Sequence, residues 1–183
     1  MDSLNLGGSP APAATSPEFD NSYYDSVKPQ LVAEMTRGAN WFYWIAGLSL
    51  VNTIASLTGS NWAFGAGLGV TQIIDAVATQ MEGPLKALPL IIDFTAVSLF
   101  TLFGYLGSKG QMWAIITGMV LYALDGLILL GLGALGGSLP IIGLVIHALA
   151  LYYLFSGLSA CRRLQALQAE QKNSVPAPPV FGN

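Results

Sequence analysis

Three ionisable side chains, Asp93, Asp125 and His147, stand in the middle of three separate apolar stretches at 85–107, 111–133 and 138–160. In apolar surroundings a carboxylate and an imidazole can hydrogen-bond, hold a proton between them, or line a path for protons or ions. Asn52, in a further apolar stretch at 41–58, and Tyr122, three residues before Asp125, are neutral groups able to complete such a cluster. The candidate site is therefore an intramembrane polar cluster of Asn52, Asp93, Tyr122, Asp125 and His147. Gln72 and Asp75 are its candidate cap from outside, although a polar-face aspartate on an interfacial helix is ordinarily just solvated.

Other chemistries find less support. A metal or tetrapyrrole site would need His147, the chain's single histidine. One histidine with two carboxylates can bind a divalent ion, but no HExxH pair and no cysteine cluster accompanies them. No metal ligand, cofactor-binding residue or cofactor is assigned. Gly65, Gly67 and Gly69 lack the Gly-Lys-Ser/Thr ending of a phosphate cradle. Ser156 and Ser159 lie nine or more residues from His147, roughly 13 Å along a helix, and no serine or cysteine is visibly paired with a base. No catalytic residue is assigned, and enzymatic activity is not expected.

The elements that must position the cluster follow from length. A hydrocarbon core about 30 Å thick takes roughly 20 apolar residues at about 1.5 Å each. The four stretches meet or approach that length, which predicts an all-α integral membrane bundle of four transmembrane helices. Composition agrees: charged residues are 9% of the chain and hydrophobic residues 53%, with 21 glycines, where a soluble domain carries about 25% charge. The net charge of -3 is mild, and no basic patch points to nucleic acid.

Residues 1–26 are rich in Pro, Ala, Ser, Gly and Asn and are expected to form a disordered cytoplasmic tail. The polar start carries no secretory signal, so insertion is expected to rely on the first span. Pro29 suits the first turn of a short surface helix reaching Arg37. The helical membrane domain is placed at 27–165 and a flexible C-terminal tail at 166–183. Cys161, the lone cysteine, excludes an intramolecular disulfide; beside Arg162 and Arg163 it reads as a small residue at the membrane edge, whose side an impermeant thiol reagent can report, with protection in intact cells expected.

Residues 62–82 are ambiguous. Val70, Ile73, Ile74, Val77 and Met81 recur at helical spacing, but the clean apolar run is too short to cross, which predicts an amphipathic interfacial or re-entrant helix. Positive charge separates this from five transmembrane helices. With four spans, Lys28, Arg37, Lys109, Arg162, Arg163 and Lys172 share one side and only Lys86 lies opposite; with five, the charges nearly balance. Four spans with both termini cytoplasmic are therefore favoured. Trp41, Phe42, Tyr43, Trp44, Trp62 and Trp113 read as an aromatic belt at the interfaces.

Counting from the turns puts Asp93, Asp125 and His147 roughly 12 to 14 Å below the same surface, with Asn52 slightly shallower. Each has small residues on its helical stripe: Ala96 and Gly104, Gly118, Gly143 and Ala150, Ser49 and Ser56. Small stripes are where membrane helices approach, so the polar groups are expected to face the bundle interior. The expected function is that of a structural or accessory interaction subunit in a bacterial-type inner membrane. Its partners are the lipid bilayer and a membrane protein or a second copy of itself, and no nucleic acid. The alternative is a small transporter or proton-coupled protein using the polar layer as its path.

Overall fold

A computed structural model describes residues 20–58, 87–137 and 139–174. Among the described residues the chain is all-helical: α1 is Asn21–Leu57, α2 Leu88–Ser108, α3 Met112–Leu135 and α4 Ile141–Ser174. The segment 62–82, with Gln72 and Asp75, lies outside the described residues, as do Trp62 and Lys86. Leu90–Ser108, Met112–Leu135 and Ile141–Ser174 are long and apolar enough to cross a membrane, as a membrane protein requires.

The helix α1 starts earlier than its composition suggests. Asp20 Oδ1 accepts hydrogen bonds from the backbone N–H groups of Ser22, at 3.0 Å, and Tyr23, at 3.1 Å, and from the Ser22 hydroxyl at 2.6 Å. That N-cap satisfies donors that the first turn leaves open, so residues 21–26 are helical where a disordered tail is expected. The Ser22 hydroxyl and then the Tyr23 N–H hold the Asp20 carboxyl below its ordinary value of 3.8. The expected surface helix and first span are also one element, because α1 runs through Pro29 without a break. Proline removes one backbone donor, but the carbonyl it would have served belongs to Asp25, an exposed residue that water can reach. Buried Tyr24, Leu31 and Met35 carry the helix past that point by packing.

The connections between α2, α3 and α4 are tight. Gly110, at φ +79°, turns the chain from α2 into α3, and Gly137, at φ +72°, follows α3. Pro140 precedes α4, which continues to Ser174, beyond the expected start of the C-terminal tail. Each helix packs on its chain neighbours, and α4 closes onto α1. The result is an up-down-up-down bundle.

Its register can be read from close contacts. A Cβ built on Gly38 would lie 2.5 Å from the Gly157 Cα, so α1 and α4 cross backbone against backbone. One residue on, Ala39 meets Gly107 of α2, and Gly107 in turn meets Ile115 of α3. Above this level Phe42, Ile45, Phe100, Phe103, Tyr122 and Leu154 form a buried, largely aromatic core. Below it Leu31, Met35, Leu158, Cys161 and Leu164 join the extended ends of α1 and α4. Outward faces on all four helices are apolar, with Trp44, Phe94, Leu127 and Ile142 exposed.

Two outcomes follow from these contacts. Gly38→Val should lower detergent-solubilised stability by about 1–3 kcal/mol, read as a drop in Tm, because neither backbone at the crossing can yield. Gly47→Ala, in open space, should not. In Asp20→Ala, amide exchange at residues 21–24 should accelerate at neutral pH. The same fraying should appear in the native chain as pH falls below 3.8 and through the lowered value, because the cap needs the carboxylate.

Candidate functional site

All five residues of the expected cluster are buried: Asn52, Asp93, Tyr122, Asp125 and His147. Four of them take part in two inter-helix clasps: Asp125, His147 and Tyr122 in one and Asp93 in the other. In the first, His147 of α4 places Nε2 2.9 Å from Asp125 Oδ2 of α3. The other ring nitrogen, Nδ1, lies 2.9 Å from the Gly143 carbonyl oxygen one turn earlier in α4. The imidazole also stacks on Tyr122, with ring centroids 4.3 Å apart and planes 6° from parallel. Gly126 makes the approach of α4 to α3 feasible, since a Cβ there would lie 2.9 Å from His147 Cδ2.

Hydrogen-bond chemistry fixes the proton count of this clasp. A carbonyl oxygen only accepts, so Nδ1 carries a proton and donates it to Gly143. Nε2 and Oδ2 then hold one proton between them, as imidazolium with carboxylate or as neutral imidazole with carboxylic acid. Both forms have the same net charge and differ by the transfer of one proton within a 2.9 Å contact. The Tyr122 hydroxyl, buried beside this pair, has no hydrogen-bond partner among the described residues.

The second clasp joins α1 to α2. The Thr53 hydroxyl lies 3.0 Å from Asp93 Oδ2 and 3.1 Å from the Ser49 carbonyl oxygen, so its one proton serves both acceptors. Ser49 donates in turn to the Ile45 carbonyl oxygen at 2.9 Å. Asp93 is thereby tied to α1, and it is offset along the bundle axis from the Asp125–His147 pair. The offset has a geometric cause. Phe100 of α2 packs edge-on against Tyr122 of α3; in these antiparallel helices Asp125 is then level with about residue 97, roughly 6 Å along the axis from Asp93. Among the described residues no three His, Cys, Asp or Glu side chains are arranged to hold a metal ion.

Thr53, Gly126 and the Gly143 carbonyl are the participants that sequence reasoning missed. Thr53 follows Asn52 and stands four residues after Ser49, a polar stripe visible in the chain; the Gly143 carbonyl stands one turn before His147 in the same helix, whereas the role of Gly126 depends on the neighbouring helix. Other expectations move. Phe42 belongs to the core rather than to the aromatic belt, and Trp41 stacks on Tyr153 at 5.0 Å, whereas Trp44 and Trp113 are exposed as expected. Cys161 is fully buried rather than interfacial, because the α2–α3 turn folds over it and brings the Gly110 carbonyl oxygen to 3.5 Å from Sγ. Ser156 donates to Glu34 Oε1 at 2.7 Å and Ser159 to the Phe155 carbonyl oxygen at 2.9 Å, so both hydroxyls serve the helices.

His147→Ala should cost about 3–5 kcal/mol by leaving the Asp125 carboxyl buried without its partner. The double variant Asp125→Leu/His147→Phe should recover most of that loss, since an apolar pair needs no compensation. Thermal melts of the purified chain in detergent compare the two.

Comparison with family models, with curated proteins and with solved structures finds no match to this chain.

Proposed function

We propose that this chain is a four-span accessory protein of a bacterial-type inner membrane, with structural and interaction roles rather than enzymatic ones. The fourth span is the 41–58 half of α1. It packs between α2 and α4 at the level of their apolar stretches and turns Trp44, Val51, Ile54 and Leu57 outward. Both termini are cytoplasmic in this reading. Lys28, Arg37, Lys109, Arg162, Arg163 and Lys172 all belong to one end of the bundle, and the opposite end has no lysine or arginine among the described residues.

One observation carries the structural role: both clasps are spent on joining helices, and they stand above a closely packed aromatic core. Polar bridges of this kind typically add about 0.6 to 2 kcal/mol and select which helices pair. Such a core favours a rigid scaffold over an open conduit. The interaction role draws on length. At 37 and 34 residues, α1 and α4 exceed a bilayer, reaching roughly 50 Å or more, and project together beyond the basic end. That paired projection offers a membrane-protein partner, or a second copy of this chain, a firm surface in water. Nucleic acid is not a partner in this reading.

Purification in mild detergent should retain a stoichiometric partner or a homo-oligomer; a solitary monomer from native membranes would count heavily against the scaffold. A proton-coupled role is the second reading, favoured by the single proton held between Asp125 and His147. Under it, Asp125→Asn should suppress pH-dependent flux in proteoliposomes while the folded protein persists, and unchanged flux would exclude an essential titrating role.

A further inference from the structure

At the end of the bundle where α1 starts and α4 ends, apolar helix gives way to polar helix at one level, and four cations share it. Lys109 sits in the α2–α3 turn, between two helices each long and apolar enough to cross a membrane. Arg37 precedes Gly38 and Ala39, which touch Gly157 and Gly107. Arg162 and Arg163 follow Cys161, whose Sγ contacts the Gly110 carbonyl oxygen beside Lys109; Gln165 donates to the same oxygen at 3.1 Å. These contacts hold Arg37, Lys109, Arg162 and Arg163 within about one or two helical turns of a common plane.

All four side chains are exposed, and none has a carboxylate partner among the described residues. The one acidic side chain near the level, Glu34, accepts a hydrogen bond from Ser156. Exposed Trp113 and Tyr105 mark the same depth, with the Lys109 ammonium 5.6 Å from the Tyr105 ring centre. Rings of this type settle at headgroup depth. The remaining cations among the described residues stand farther out: Lys28, over the Tyr24 ring, is nine residues before Arg37, and Lys172 is nine after Arg163.

We propose that Arg37, Lys109, Arg162 and Arg163 form a basic collar that binds the phosphate headgroups of anionic phospholipids in the adjoining leaflet. The collar rests on the membrane-spanning reading but is independent of which side of the membrane is cytoplasmic. A cation near an anionic surface favours association by about fivefold. The collar therefore selects anionic over zwitterionic lipid at low salt, and the outer cations do not.

Tryptophan reports this directly, because Trp41, Trp44 and Trp113 lie in the half of the bundle that bears the collar. The full chain, reconstituted into phosphatidylcholine vesicles, is titrated with brominated phosphatidylglycerol or brominated phosphatidylcholine, and the quenching is compared. Several-fold preferential quenching by phosphatidylglycerol is expected, falling severalfold between 50 and about 500 mM salt as charges are screened. Arg37→Gln/Lys109→Gln/Arg162→Gln/Arg163→Gln should abolish the preference, and Lys28→Gln/Lys172→Gln should keep it. Equal quenching by the two lipids in the native chain, a preference that survives in the quadruple variant, or equal loss in the double variant would overturn the collar. Should the quadruple variant fail to fold, the salt dependence of the native chain decides. Failure to reconstitute at all, seen by flotation, is a separate result that strikes the membrane reading itself.

Discussion

Inside a bilayer a polar side chain has no water to fall back on, and this single constraint organises the molecule. A carboxyl group set in the middle of an apolar helix must find its partner on another helix, or the helix is costly to place there at all. Asp93 and Asp125 each meet that demand across a helix boundary, one with Thr53 of α1 and the other with His147 of α4. Each bond therefore specifies a helix pair. Apolar contacts alone discriminate weakly among helix pairs in lipid, because acyl chains are as apolar as leucine.

The two clasps depend on close approach, and close approach depends on glycine. Gly126 admits the His147 ring to α3, Gly118 admits the Phe42 ring to the centre of the bundle, and Gly38 and Gly157 bring α1 and α4 into backbone contact. These glycines are consumed within the bundle. The same crossing continues below the apolar layer, where α1 and α4 remain paired through Leu31, Met35, Leu158 and Leu164. One continuous helix–helix interface thus serves both the apolar parts of α1 and α4 and their polar extensions.

The α2–α3 turn links these levels. Its Gly110 carbonyl oxygen receives Gln165 and lies against Cys161, so a connection of three residues fastens the hairpin of α2 and α3 to α4. Burial of Cys161 follows from that docking. So does the alignment of Lys109 with Arg162 and Arg163, residues far apart in the chain but brought to a similar level by the contacts on one carbonyl oxygen.

Much of this was legible without coordinates. Spans at 85–107, 111–133 and 138–160 follow from apolar length, and the small residues beside Asp93, Asp125 and His147 point to interior faces, because helical periodicity and the cost of exposing charge to lipid are properties of each helix alone. The joining of Pro29 to the rest of α1 was not legible, since local preference opposes it and burial of Tyr24, Leu31 and Met35 against other parts of the fold outweighs it. Nor was the choice of partners: equal depth placed Asp93, Asp125 and His147 in one layer, yet depth says nothing about rotation or axial offset between helices. The chain by itself determined that the polar groups lie inside a helical membrane bundle. Only tertiary packing decided that Asp93 bonds Thr53 while Asp125 bonds His147, because that choice turns on register between helices, which glycine contacts and ring packing set together.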